Sequence, residues 1–281
     1  MITVLNPGIY STIQDLGRPG FTHIGVPLSG VMDAYSANIG NQLLNNKSGA
    51  AVVEITFGSS RFQFEKEMIV CLTGGNFTPK VDGENVEMNS VLKISKNSIL
   101  SFGKKEYGAR IYLCVSGGFK AKITLGSKSF YKEITANTHL KKSDQLLVEL
   151  NKFEEKKSHS KIKIESSHFL TKVVFCLKGP EFELLSERQQ RQLLNNRFTV
   201  SNDNNRVGYR LEELIENDLK SILTSGVLPG TVQLTPSGKL IVLMRDCQVT
   251  GGYPRVLQLT EESINVLAQK STSDKVEFVL K

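Results

Sequence analysis

The residues able to do chemistry gather in four glycine-rich clusters. The first runs Ile-Gln-Asp-Leu-Gly-Arg-Pro-Gly over 13–20, reaches His23, and continues Gly-Val-Pro-Leu-Ser-Gly-Val-Met-Asp over 25–33. It places Asp15, Arg18, His23 and Ser29 in a stretch with few apolar anchors. A loop of this kind, leading into a helix N-terminus, offers backbone N–H groups to an anion. Arg18 can take a carboxylate or phosphate with two parallel hydrogen bonds. An ordinary structured loop with a helix cap would use the same residue types. The second cluster is Thr73-Gly74-Gly75-Asn76. The third, Asn205-Arg206-Val207-Gly208-Tyr209-Arg210-Leu211, sets two arginines four apart around a glycine. That is an anion site, or two exposed arginines beside a turn. In the fourth, Asp246, Gln248 and Thr250 alternate before Gly251-Gly252. On an extended segment these three share one face, which suits a ligand surface or a solvent-facing strand.

Several kinds of chemistry lack their signatures. There is no G-x-x-x-x-G-K-[ST] phosphate loop, no G-x-S-x-G elbow and no H-E-x-x-H. Cys71, Cys114, Cys176 and Cys247 form no C-x-x-C and no zinc spacing. Each lies in or beside an apolar run and reads as a buried reduced thiol. No metal site is expected. His139, His159 and His168 have polar neighbours and read as solvated, leaving His23 as the histidine in a functional-looking loop. Glu54, alone in an apolar run, reads as an exposed strand position. Lysine and arginine number 35 against 28 acids, a net charge of +7. The excess is scattered, so it favours anionic partners in general and does not point to nucleic acid. No apolar run reaches the ~18–20 residues of a membrane helix. The N-terminus has no basic segment leading an apolar one, so a cytoplasmic chain is expected.

The elements that must position these clusters are mostly strands. Runs rich in Val, Ile, Leu and Phe recur at 52–57, 61–64, 67–72, 109–115, 172–177, 231–234, 240–244 and 276–280. Their punctuation by Gly, Asn, Asp and Ser predicts an all-β barrel or sandwich. Met32, Tyr35, Ile39 and Leu43 predict a helix capped by Ser29, with Asp33 in its first turn. Further helices are expected over about 181–194 and, after Thr260, over 261–269. A weak repeat is visible. Gln-Leu-Leu-Asn-Asn occurs at 42–46 and 192–196, and Ser-Asp precedes an apolar strand at 143–144 and again at 273–274. The chain therefore divides into β units at 1–150 and 168–281, joined by the polar stretch 151–167 as a linker.

IQDLGRPG, GVPLSGVMD, VEITFG, TGG, NRVGYRL, SGVLPGTVQLTPSG and DCQVTGGYP stand in one order along nearly the whole chain. In that order they resemble the allophanate hydrolase subunit 2 family. This family includes KipA, the C-type subunit of 5-oxoprolinase and the matching part of the urea carboxylase carboxyltransferase domain. The resemblance implies tandem cyclophilin-like β-barrels with a few short helices. It implies one component of an ATP-dependent 5-oxoprolinase, working with a KipI-like B-type subunit and a LamB/YcsF-like A-type subunit, with ATP at a composite site. It equally admits a KipA-like regulator of a KipI-like histidine-kinase inhibitor. A third possibility is a carboxyltransferase-like protein using biotin on a carrier in trans. On the motifs it assigns the anionic part of a cyclic amide or urea-like substrate to Arg18, Arg206 and Arg210. The amide falls to Gln248, Thr250, Gly251 and Gly252, acid–base work to Asp246 and His23, and further substrate contact to Ser29 and Tyr209. The sequence departs from the family pattern at Asn205, where the family often has Asp, and at Val249-Thr250, where it often has Thr-Thr.

Overall fold

The computed structural model describes residues 1–149 and 166–281. Most of the expected linker, with His159, lies outside the described residues. The described chain forms two compact units: Met1–Arg18 with Asp33–Leu170, and Pro19–Met32 with Thr171–Lys281. A division near residue 150 assigns 19–32 to the first unit, whereas here that segment packs with the second. Mainly β structure with a few short helices is what the alternating apolar runs predict, and it is what the chain adopts.

In the first unit two sheets enclose one core. The seven-stranded sheet has the order Phe119–Lys120, Gln145–Val148, Ile2–Asn6, Arg61–Phe64, Ile99–Phe102, Pro79–Val81, Glu84–Asn85. The five-stranded sheet has the order Tyr10–Gln14, Val52–Thr56, Tyr107–Val115, Met68–Asn76, Val91–Ile94. Ile2, Val4, Phe62 and Phe64 from the first share a core with Val53, Ile55, Val70, Leu72, Ile111 and Leu113 from the second. Those positions recur at period two, as one buried face requires.

Tyr107–Val115 is buried on both faces, because the helix Ala34–Leu43 packs on the other side. That helix comes so close that a Cβ on Gly40 would run into Cys114 Sγ. Asp33, not Ser29, is its N-cap, accepting from Ser36 N at 3.1 Å and Ser36 Oγ at 2.6 Å. His168 Nε2 also lies 2.9 Å from Asp33 Oδ2, so this histidine is held against the unit rather than solvated. Glu54 is likewise buried. Tyr112 OH donates to it at 2.9 Å, and Arg110 Nε stands 3.8 Å away. Its cover comes from Tyr112 and Arg110 on the neighbouring strand, which the run around Glu54 cannot reveal.

The second unit closes into a seven-stranded barrel in the order Val173–Lys178, Arg255–Leu259, Thr231–Leu234, Lys239–Leu243, Gly208–Leu214, Phe198–Asn204, Lys275–Leu280. Only the seam between Val173–Lys178 and Lys275–Leu280 is parallel. Closure leaves no open edge for pairing with other chains. Val174, Phe198, Val200, Tyr209, Val232, Leu234, Val242, Val256 and Phe278 fill the interior. The helix expected at 181–194 divides into a short 3-10 turn, Phe182–Leu184, and the helix Glu187–Asn195, which a Ser186/Gln189 capping box starts. The helix Glu261–Ala268 begins at Thr260 as predicted.

The repeat is visible as chemistry. Asp144 Oδ2 accepts from Lys141 N at 2.7 Å, and Asp274 Oδ2 accepts from Ser271 N at 2.7 Å. Ser143 and Ser273 both take left-handed φ, 73° and 71°. In each unit the turn then pairs with an early strand, through Val4 N to Asp144 O and Val200 N to Asp274 O.

Candidate functional site

Two buried arginines organise the loops at one end of the barrel. Leaving the strand Lys239–Leu243, the chain turns at Arg245-Asp246, where Asp246 N donates to Arg206 O at 2.8 Å. Arg206 bends back onto the same residue. Its Nε donates to Asp246 Oδ2 at 2.7 Å and its Nη2 to Oδ1 at 3.0 Å. Nη2 also reaches the Gly30 carbonyl. Arg245 donates to both Glu261 oxygens, to Asn265 Oδ1 at 3.0 Å, and through Nε to the Met32 carbonyl at 3.4 Å. Ser29 N in turn donates to Arg245 O at 2.9 Å. The segment 29–32 is thus held by three backbone contacts, and Met32 is buried in the barrel core. This is why Pro19–Met32 belongs to the second unit. Both guanidiniums are about nine-tenths buried, so their charge is tolerable only with the partners just described.

Above the outer wall of the barrel lies a small flap. Ser225–Gly226 pairs with Thr250–Gly251. Val227 N bonds Val249 O at 3.1 Å, and Ile222 N bonds Gly252 O at 2.9 Å. Arg255 Nη1 donates to Gly226 O at 3.0 Å, while its other donors grip both Glu181 oxygens. Those bonds hold the Glu181 carboxyl below its ordinary range and push the Arg255 guanidinium further up.

The structure sorts the expected site residues differently from their spacing. Asp246, Gln248 and Thr250 do not share a face. The turn buries Asp246, and Gln248 and Thr250 are exposed, with Gly251 and Gly252 half-exposed beside them. Asp246, expected as an acid or base, has both oxygens engaged by Arg206. Tyr209 is fully buried in the barrel, its hydroxyl 3.4 Å from Lys270 O, and offers no surface to a substrate. Arg210 points outward, 40% exposed, and pairs with Asp203 at 2.7 Å. His23 is exposed on the 3-10 turn Thr22–Ile24. Ser29 takes a left-handed φ of 58°, and its buried hydroxyl has no hydrogen-bond partner among the described residues. Arg18 lies in the first unit, fully buried, donating through Nη2 to the Ser129 carbonyl. There Asp15 pins the loop by accepting from Gly17 N, Ser127 Oγ, Lys128 N and Ser129 Oγ.

Spacing missed Arg245, Glu261, Asn265 and the Glu181–Arg255 pair. The one available signal was Arg245 beside Asp246 after an apolar strand. The four cysteines are buried and free, as their apolar neighbours predict. Burial pushes the thiols of Cys71 and Cys247 up to about 12 and that of Cys176 to about 11. Among the described residues no group of His, Cys, Asp or Glu is arranged to hold a metal ion. None of their helices is long and apolar enough to cross a membrane.

Residues 24–280 match the family model "Carboxyltransferase domain, subdomain A and B". The chain is 30% identical over 285 residues to the 5-oxoprolinase C subunit of Escherichia coli (strain K12), covering 99% of this chain and 91% of that one. It is 36% identical over 129 residues to urea amidolyase of Lachancea kluyveri, covering 46% of this chain and 7% of that protein. The crystal structure of TTHA0988 superposes with a TM-score of 0.89 at 25% identity over 99% of this chain, which spans 55% of that one.

Proposed function

The chain belongs to the carboxyltransferase-domain family of subdomains A and B, and from that premise we propose that it is the C-type subunit of an ATP-dependent 5-oxoprolinase. In this reading it cleaves 5-oxoproline to glutamate only in company with a KipI-like and a LamB/YcsF-like subunit in the cytoplasm. The near full-length likeness to a protein named as the C subunit of 5-oxoprolinase supports the reaction. The geometric observation that carries the reading is the mutual engagement of Arg206 and Asp246. Both oxygens of this carboxylate are taken up by the guanidinium, so they are engaged within the loop rather than turned to a substrate. The cluster therefore positions loops, and the acid–base groups come in part from partner subunits.

The exposed side chains of Gln248 and Thr250, with the Gly251 and Gly252 backbone, are the amide-facing surface. Arg210 serves the carboxylate by exchanging Asp203 for it, and His23 is the candidate proton carrier on this chain. Arg206 and Asp246 act as positioning residues, and Ser29 supplies a hydroxyl at the loop they hold. ATP is a co-substrate. With no phosphate loop in the sequence, it sits where subunits meet.

A second reading is favoured by the likeness to urea amidolyase. In it the same surface receives biotin on a separate carrier. The ureido ring of biotin is a planar amide, so Gln248, Thr250 and the flap backbone fit it as donors and acceptors. Its chemistry there would be carboxyl transfer.

The test is ADP release on adding 5-oxoproline to the chain co-expressed with both partners. Release that disappears when any one chain is omitted supports the first reading. Carboxyl transfer to urea from a carrier already carboxylated on its biotin by an added biotin carboxylase, lost when this chain is omitted, supports the second.

A further inference from the structure

The strand Thr231–Leu234 alternates across the barrel wall. Val232 and Leu234 enter the core, and Gln233 faces outward. An outward glutamine is ordinarily wet, yet Gln233 is 1% exposed. The flap lies over it. A Cβ on Gly251 would come within 2.5 Å of Gln233 Nε2 and 3.4 Å of Val227 Cγ1. Val227, Leu243 and Cys247 form a small apolar cluster on this side of the wall, with Ile241 packed against it. In these surroundings Gln233 Nε2 has no hydrogen-bond partner among the described residues. A buried amide without a partner is unfavourable, and an apolar side chain of the same size would avoid the penalty. Such a group calls for an explanation, of which a missing ligand is one.

The position of the amide supplies that explanation. Directly above it is Gly251, with no side chain to block an approach, in the Gly-Gly pair that borders Gln248 and Thr250. The cover is a two-residue ladder with a few flanking bonds, outside the closed barrel, and small elements of this kind open locally at less cost than global unfolding. A side-chain NH2 donates and cannot accept, so its partner is an oxygen. Being neutral, the donor suits a neutral carbonyl better than a carboxylate, which draws charged donors.

We propose that Gln233 is a substrate-binding residue, donating from Nε2 to the lactam carbonyl oxygen of the cyclic amide once the Thr250–Gly251 strand lifts. This rests on the 5-oxoprolinase reading for the identity of the amide. The site itself rests only on the unpartnered donor beneath Gly251.

The experiment uses the three-chain complex with Gln233→Met and, separately, Gly251→Ala, whose Cβ would displace the amide. Expected for both is a KM for 5-oxoproline raised about tenfold, the loss of one neutral hydrogen bond. Gln233→Met should also melt at or above the wild-type temperature, which rules out misfolding as the cause. Wild-type KM in both variants overturns the proposal and leaves the 5-oxoprolinase reading standing. If the wild-type complex does not turn over 5-oxoproline, that reading falls. The site is then decided by calorimetry on the isolated chain with 2-pyrrolidinone and urea. Binding that Gln233→Met weakens sustains it, and no binding of either, or binding that the substitution leaves unchanged, overturns it.

Discussion

Replacing Arg206 by Met removes, from one buried place, two hydrogen bonds to Asp246 and one to the Gly30 carbonyl among others. Asp246 stays behind as an uncompensated charge at 8% exposure. Breaking a buried pair from one side costs about 3–5 kcal/mol. Removing both charges together avoids most of the unpaired-charge penalty. Arg206→Met with Asp246→Ala should therefore fall short of the sum of the single effects by at least about 1 kcal/mol. A chain of two units need not unfold in one step, so a global midpoint does not isolate what happens at one loop. Native-state hydrogen exchange followed by mass spectrometry reads the loop itself. Peptides spanning 26–32 should lose two to three and a half orders of magnitude of protection in Arg206→Met, because about 1.4 kcal/mol is one factor of ten. Arg206→Lys keeps the charge and loses the fork, and should fall between. A loss under tenfold in Arg206→Met, or strict additivity in the double variant, would refute the claim that this pair holds the loop.

Gly40→Ala should destabilise the first unit by about 1–3 kcal/mol through overpacking against Cys114. Adding Cys114→Ala should restore part of the loss in chemical denaturation, and no recovery would place the strain elsewhere. Arg255→Met should remove the bonds that hold the Glu181 carboxyl below its ordinary 4.5. A carboxyl lowered in the folded state stabilises fully above its unfolded value and loses that contribution as pH falls through its folded value. The difference in melting temperature between wild type and Arg255→Met should thus be full at pH 7 and shrink on acidification below about pH 4.5. A difference that grows with acid would contradict the assignment.

The elements were largely legible in the sequence, and the site was legible as a neighbourhood. Period-two runs such as 52–55 and 231–234 gave strands, because one buried face imposes that period. The Thr260 cap and the Ser-Asp turns were readable because their signals are local. The errors fall where local spacing carries no signal. Ser29 read as a cap because spacing cannot tell it from Asp33, which the packed helix shows to be the acceptor. Asp246, Gln248 and Thr250 read as one face because a turn at Arg245-Asp246 leaves no strong punctuation. Glu54, His168 and Tyr209 read as exposed or reactive because their covers arrive from segments distant in sequence. Gln233 drew no attention for the same reason. Its chemistry lies in what folds over it. The match of seven ordered motifs identified the family, whereas single motifs left alternatives open.

The measurement that tests the account most directly is glutamate and ADP formed from 5-oxoproline and ATP by the reconstituted three-chain complex, with each chain omitted in turn. The account predicts both products in equal amounts, and neither when this chain is left out. Undiminished turnover by the other two chains, or a stable complete complex that forms neither product, would contradict it.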